Sequence, residues 1–64
     1  MTFCEATQSL FRDNKVKRYS WPPDKYVWVE NGLLYTYNSN QEPVCFSPSV
    51  VDLKALDWID YIEV

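Results

Sequence analysis

Hydrophobic residues near the start of the chain recur at the spacing of an amphipathic helix. The stripe consists of Phe3, Ala6, Leu10 and Phe11. Thr2 and Glu5 match a capping box, in which the Thr hydroxyl and the Glu carboxylate each accept a backbone N–H left unpaired at a helix start. Asn14 tolerates the left-handed conformation that commonly ends helices. The pattern therefore predicts about three helical turns between these two signals.

The next segment predicts one short strand followed by a stiff loop. Residues 15–19 alternate imperfectly and are bracketed by Asn14 and by Trp21-Pro22-Pro23, which is typical of a strand in a partly exposed sheet. The two prolines lack an N–H donor and bias the preceding residue toward extended geometry. We therefore expect a non-helical loop, rather than a regular strand, to present the indole of Trp21.

A β-hairpin is the clearest element in the sequence. Residues 25–30 and 33–37 are rich in Tyr, Val, Trp and Leu, and Asn31-Gly32 lies between them. Both turn positions of a two-residue hairpin loop need positive φ, which Asn and Gly tolerate best. The segment therefore predicts two antiparallel strands joined at this turn.

The polarity of the hairpin does not tell which of its faces is buried. Alternation places Tyr26, Trp28 and Glu30 on one face and leaves Val27 and Val29 on the other. Both faces are largely apolar. We therefore expect one face to pack on the helix and the other to meet a second copy of the chain.

The last third of the chain predicts a turn, a strand, a second helix and a final strand. Residues 38–42 are polar and indicate a turn, and residues 43–46 continue the meander with a third short strand. Ser49 occupies a cap position ahead of an apolar run, and Asp52 favours the start of a helix of about two turns. Residues 57–64 alternate acidic or Trp side chains with aliphatic or aromatic ones, which predicts a terminal strand.

These elements predict an α+β fold in which an N-terminal helix packs on a small antiparallel β-meander, with a short second helix before a C-terminal strand. Because 64 residues are too few for two separate cores, residues 1–64 should form a single domain. With 47% hydrophobic and 17% aromatic residues, the chain has the burial that a disordered segment lacks. The large side chains of Trp28 and Trp58 are expected to anchor the core.

A core of this size needs additional stabilisation. The sequence contains no His and two cysteines, Cys4 and Cys45, so one chain cannot assemble a tetrahedral zinc site. A disulfide is permitted but not required. No basic run followed by an apolar run marks a secretory signal at the N-terminus, so we expect an intracellular protein with reduced thiols. We therefore expect homo-oligomerisation to supply the missing stability.

The net charge of −3 argues against binding of nucleic-acid polymers through a basic surface. The charge is unevenly distributed. Residues 12–25 hold five basic against two acidic side chains, and residues 45–64 hold four acidic against one basic. These segments are either two solvated faces or a basic stretch that meets a phosphate group. No apolar stretch approaches the ~20 residues that cross a bilayer, so we expect no membrane partner.

The sequence offers little support for catalysis. No His is available as a base near neutral pH, and the single Gly belongs to the hairpin turn rather than to a phosphate-binding loop. Cys4 lies in the first helical turn without a His partner, and Asp57 and Asp60 fit a solvated edge strand better than an acid–base pair. We therefore interpret the chain as a binding protein that needs no cofactor, and not as an enzyme.

Two segments of the chain resemble a known family. Residues 3–21 join an acidic-Ala helix, a basic Val-x-Arg strand and a Trp shortly after it, and residues 46–58 contain Phe-Ser-Pro-Ser, Asp-Leu and Asp-Trp in that order. Both are similar to the small phage and bacterial family that includes the second type of Thoeris anti-defence protein. The resemblance implies a homo-oligomer in the host cytoplasm that sequesters cyclic ADP-ribose-type or cyclic dinucleotide immune signals without cleaving them.

The resemblance also implies a ligand site. The matched aromatic residues are Trp21 and Phe46, which could stack on a base, while Arg18 and Lys17 are the nearest donors for phosphates and Asp52 is a further contact. Each residue also has a structural interpretation: the two rings could pack in the core, Arg18 could cover the Trp21 ring and Asp52 could cap a helix. Because a body of this size can hardly enclose a nucleotide, the implied site lies between two copies.

A second hypothesis follows from the charge. A small acidic protein with an acidic C-terminal strand could block the basic nucleic-acid channel of a host defence nuclease or CRISPR effector. This hypothesis predicts that the protein binds such a nuclease, and that salt or the replacement of Asp57 and Asp60 by Asn weakens the binding. That result would favour it over signal binding.

Overall fold

The computed structural model describes residues 1–62. In chain order its elements are α1 (Phe3–Phe11), β1 (Lys15–Arg18), β2 (Trp28–Glu30), β3 (Leu33–Tyr37), β4 (Pro43–Cys45), α2 (Val50–Lys54) and β5 (Trp58–Tyr61). The predicted α+β fold is confirmed, with an N-terminal helix, antiparallel strands, a short second helix and a C-terminal strand. The end of the predicted terminal strand, residues 63–64, lies outside the described residues.

The strands form two small antiparallel sheets. One is the predicted meander, in the order β2-β3-β4, and the other pairs β1 with β5. In the second sheet Arg18 lies opposite Trp58. A backbone bridge joins the sheets, because Val16 and Val27 each donate an N–H to the other's carbonyl oxygen, at 3.1 and 2.7 Å. The last strand therefore lies beside the first, and α1 packs on this pair as well as on β2.

The start of α1 matches the predicted capping box, and the left-handed residue at its end lies one position before the predicted one. Thr2 Oγ1 accepts the N–H of Glu5, and the Thr2 N–H donates to the Glu5 carboxylate and lowers the pKa of Glu5. At the other end Asp13, and not Asn14, adopts the left-handed conformation, with φ of 63°. The N–H groups of both residues donate back to carbonyls of the last turn. Asp shares with Asn the short polar side chain that tolerates this conformation.

The core lies where α1 covers the bridge between the two sheets. The buried hydrophobic residues are Ala6, Leu10, Val16, Val27 and Trp58. The predicted helix stripe is confirmed at Ala6 and Leu10. It is wrong at Phe11, which is 81% exposed, because adjacent helical residues point about 100° apart. Trp58 anchors the core as predicted, but Trp28 is only partly buried, outside it.

The hairpin turn is confirmed, and its buried face is the valine face. Asn31 and Gly32 have φ values of 54° and 78°, as a two-residue turn requires. Val27 is fully buried, whereas Tyr26 and Trp28 on the other face are half-buried and contact other aromatic rings. Val27 belongs to the same core cluster as Ala6 and Leu10 of α1, while the Tyr26 hydroxyl forms a hydrogen bond with that of Tyr37 at 3.4 Å.

α2 is shorter than the sequence pattern predicts and has no buried residue. Ser49 and Asp52 form its capping box. A five-residue helix has little intrinsic stability, so its position depends on contacts with the rest of the chain.

Candidate functional site: the Trp58 cluster and the tyrosine cleft

The two aromatic residues predicted for the ligand site pack around the buried Trp58. The ring centroids of Trp21 and Phe46 lie 5.5 and 6.2 Å from that of Trp58 and 6.1 Å from each other, all in edge-on geometry. Phe3 adds a fourth ring at 5.3 Å from Trp58. We call these four residues the Trp58 cluster. Trp21 and Phe46 are each partly exposed, so they belong both to the packing around the core and to the surface.

Arg18 links β1 to α2 and to the start of β5 through two carboxylates. Its Nη1 donates to Asp52 Oδ1 at 3.0 Å, and its Nε donates to Asp57 Oδ1. The hydrogen bond from Arg18 holds the pKa of Asp57 below its ordinary value of 3.8, and the same bond raises the pKa of Arg18. Trp58 Nε1 also donates to the backbone oxygen of Asp52, at 3.0 Å. The guanidinium and the indole together hold α2 in place.

The lowered pKa of Asp57 predicts a loss of stability in acid. The carboxylate stabilises the fold above its ordinary pKa of 3.8, and this contribution disappears as the pH falls through the lower value of the folded state. In Asp57→Asn the urea midpoint of unfolding should therefore fall less than in the wild type between about pH 6 and about pH 2.

Asp13→Asn is the charge-matched control for this prediction, because it removes one carboxylate from the exposed end of α1. An Asp57→Asn variant as sensitive to acid as the wild-type chain would contradict a stabilising pair with Arg18.

Two lysines hold the loop that carries Trp21. Lys17 Nζ donates to the backbone oxygens of Trp21, at 2.8 Å, and of Pro22, at 3.3 Å. Lys25 Nζ lies 4.8 Å from the centroid of the Trp21 ring, a cation–π distance. The cation over this ring is Lys25 and not Arg18, because the two carboxylates hold the Arg18 guanidinium.

Asp52 has the helix-capping role that its position predicts. Its Oδ2 accepts the N–H of Ser49 at 3.1 Å, and the Ser49 hydroxyl accepts the N–H of Asp52 at 3.3 Å. Its other oxygen pairs with Arg18. The five predicted site residues therefore lie in one connected group, within which Arg18, Lys17 and Asp52 already have partners in the chain.

The surface beside this group is apolar and uncovered. We define the α2 surface as the exposed side chains of Val50, Val51, Leu53 and Leu56. Val51 is 69% and Leu56 74% exposed. Asp52 lies among these residues in the sequence and contacts Arg18, so the α2 surface begins next to the predicted ligand residues. Several exposed apolar residues so close together in the sequence indicate a candidate interaction surface.

A second aromatic group lies near the ends of β3 and β5. Tyr26 stacks on Tyr61 with centroids 4.4 Å apart, and Tyr37 meets Tyr26 edge-on at 5.4 Å. With Asp24 and Gln41 these rings line a surface cavity of about 380 Å³, which we call the tyrosine cleft. Gln41 Nε2 donates to Asp24 Oδ2 at 3.1 Å across it.

Sequence reasoning missed the tyrosine cleft because it depends on strand pairing. Tyr61 reaches the group only because β5 pairs with β1, and Tyr26 only because the bridge between Val16 and Val27 brings β2 alongside β1. The available signal was the abundance of Tyr in the hairpin. That signal could have identified Tyr26 and Tyr37 but not their partner from the last strand.

The described residues offer binding chemistry and no metal site. Within residues 1–62, no group of three or more His, Cys, Asp or Glu side chains could hold an ion. Cys4 and Cys45 are free thiols, and both are exposed. In the same range of the chain, no helix is both long and apolar enough to cross a membrane. The candidate residues can stack, donate hydrogen bonds and pair charges.

One comparison with known proteins finds a match. The model of the Thoeris anti-defense 2-like domain matches residues 1–61. This range includes both terminal segments that carry the resemblance, the hairpin between them, and every residue of the Trp58 cluster and of the tyrosine cleft. No curated protein matches the chain.

Proposed function

The chain belongs to the Thoeris anti-defense 2-like family, which acts against Thoeris defence, and we propose that it does so by binding a cyclic nucleotide immune signal without cleaving it. The signal is of the cyclic ADP-ribose type or is a cyclic dinucleotide. Its sequestration in the host cytoplasm deprives the defence effector of its activator. A phage that encodes the protein thereby escapes the defence.

One observation carries this proposal: the Trp58 cluster has two partly exposed rings, and Trp58 itself is hydrogen-bonded to α2, whose apolar side chains are exposed. The described chain measures 27 × 26 × 24 Å, which is too small to bury most of a nucleotide as small-molecule sites do. In the proposed assembly, a second copy covers the α2 surface together with Trp21 and Phe46. The ligand then lies between two copies, with a base stacked on these rings.

The charges near these rings support a ligand that carries phosphate groups. Arg18 uses Nε and Nη1 for its two carboxylates, and a guanidinium has further N–H donors on Nη2 for a phosphate oxygen. Lys17 and Lys25 each contact the loop of Trp21 and so favour its conformation in this structure. A pre-organised loop loses less conformational entropy when a ligand binds.

Release of the bound signal by heat tests sequestration. The purified protein is mixed with cyclic ADP-ribose-type nucleotides and cyclic dinucleotides, separated from free nucleotide and denatured. The proposal predicts that the protein removes at least one of these nucleotides from solution and returns it intact, in stoichiometric amount, on heating. A protein that depletes no nucleotide of the panel, or that returns a cleaved product, contradicts the proposal.

Trp21→Ala should weaken signal binding by about five- to 150-fold, because stacking of a base on an aromatic ring is worth ~1–3 kcal/mol. Calorimetric titration of the folded variant measures the change. Trp21→Phe keeps a ring and should retain most of the affinity.

Trp28→Ala is the matched control, since Trp28 is also partly exposed but packs against the tyrosines Tyr26, Tyr35 and Tyr37 instead. Wild-type affinity in Trp21→Ala, or an equal loss in both alanine variants, would remove Trp21 from the proposed site.

The alternative function, inhibition of a host nuclease or CRISPR effector, depends on free acidic groups near the C-terminus. Two of these groups have partners in the chain: Asp57 binds Arg18, and Asp60 Oδ1 accepts the Ser9 hydroxyl at 2.7 Å. These contacts leave less acidic surface for a basic partner and favour signal binding. Capture of a host nuclease that weakens with salt, without any nucleotide binding, would reverse this preference.

A further inference from the structure

We propose that the tyrosine cleft is a separate binding site for a small organic cation that carries an alkylammonium group. Its volume of about 380 Å³ lies within the usual range for small-molecule sites, ~300–1,000 Å³. Of the described residues that line it, three are tyrosines and the others are Asp24 and Gln41. The cleft therefore combines electron-rich ring faces with one carboxylate.

The polar groups of the cleft favour a positive ligand. Among the described residues that line the cleft, Asp24 is the charged one and none is basic. The Gln41 amide already donates to Asp24 Oδ2, which leaves Oδ1 to accept an N–H from a ligand. An anionic ligand would meet the negative charge of Asp24 at short range, where a cationic ligand is attracted instead.

The arrangement of the rings adds to this preference. The stacked pair of Tyr26 and Tyr61 and the edge-on Tyr37 give the cleft several aromatic faces, and such faces attract ammonium groups. The same cluster already accommodates a cation from the chain itself, because Lys15 Nζ lies 4.9 Å from the centroid of the Tyr26 ring. Lys15 is not among the residues that line the cleft.

This site is independent of the proposed signal site. Within residues 1–62, no residue that lines the cleft belongs to the Trp58 cluster or to the α2 surface. A change at Asp24 should therefore leave nucleotide binding intact, and a change at Trp21 should leave amine binding intact. The two proposals can fail separately.

Titration with butylammonium, followed by NMR chemical shifts of the full chain, tests the site directly. Two control probes have a carbon chain of the same length: 1-butanol is uncharged and butyrate is negatively charged. We expect saturable shifts at Tyr37, Tyr61 and Gln41 with butylammonium, and weaker or absent shifts with the other two. Equal binding of all three probes, or no saturable binding of butylammonium, overturns the proposal.

Asp24→Asn should weaken butylammonium binding by about fivefold, which corresponds to ~1 kcal/mol for a partly exposed ion pair. The variant keeps an oxygen that can accept the Gln41 amide, so the loop geometry is retained. Asp13→Asn removes the same charge at a distance and should bind like the wild type. An unchanged affinity in Asp24→Asn contradicts the role assigned to this carboxylate.

An alkylammonium group can come from a free amine or from a lysine side chain of another polypeptide. Lysine with both backbone ends blocked has the same butylammonium group and distinguishes the two sources. Tighter binding of the free amine assigns a small-molecule ligand to the cleft. Equal or tighter binding of the blocked lysine indicates that the ligand of the cleft is a lysine side chain of another polypeptide.

Discussion

Trp58→Ala should leave the chain unfolded at room temperature. Trp58 has no exposed surface and contacts the rings of Phe3, Trp21 and Phe46. Its truncation is expected to cost ~3–5 kcal/mol, about as much as a core below ~70 residues supplies in total. Far-ultraviolet circular dichroism and the dispersion of amide signals in NMR spectra measure the loss of structure.

Two further variants make this prediction specific. Trp28→Ala removes a partly exposed ring outside the core and should leave a folded chain. Trp58→Phe keeps a ring but loses the hydrogen bond to the Asp52 carbonyl, which costs ~0.5–1.5 kcal/mol in addition to the change in packing. A Trp58→Ala chain that unfolds cooperatively with a wild-type midpoint would contradict the assigned core.

Val51→Lys should abolish both assembly and signal binding while the single chain stays folded. Val51 is 69% exposed in one copy, and exposed substitutions of this kind usually change stability by no more than ~0.5 kcal/mol. In the proposed assembly the same position is covered by a second copy, where an unpaired lysine costs several kcal/mol. Sedimentation velocity, circular dichroism and calorimetric titration report mass, fold and binding.

The neighbouring Leu56→Lys variant should behave in the same way, because Leu56 belongs to the same α2 surface. Asn40→Lys adds the same charge in the exposed turn between β3 and β4 and should assemble like the wild type. If both α2-surface variants keep the wild-type mass, the α2 surface is not the contact between copies.

Most local elements could be predicted because their signals are contained in a few adjacent residues. The Thr2–Glu5 capping box, the Asn31-Gly32 turn and the Ser49 cap each act through backbone geometry and short-range hydrogen bonds. The error at the end of α1 is of the same local kind. Asp13 and Asn14 are both tolerant of positive φ, and the pattern does not distinguish them.

The long-range pairing of the strands could not be predicted in the same way. Nothing in residues 57–62 specifies β1 as their partner, because the apolar alternation of β5 would equally suit an edge of the meander. The ion pair of Arg18 with Asp57 could not be predicted either, because it depends on this pairing and joins residues 39 positions apart. The alternative in which Arg18 covers the Trp21 ring failed for this reason.

The same distinction between local and long-range signals applies to the candidate site. Trp21 and Phe46 could be selected from the two family-like segments, and the structure brings them together around Trp58. The tyrosine cleft combines a loop, a turn and two strand ends, and it could be found only after these elements were assembled.

Native mass spectrometry tests the central claim most directly, because it reports subunit number and bound mass together. The protein is purified under non-denaturing conditions from cells that produce the Thoeris signal. We expect an oligomer that carries intact cyclic nucleotide, and a variant with Lys at position 51 that appears as a single chain without it. A wild-type protein that appears as one copy with no bound nucleotide would contradict the account.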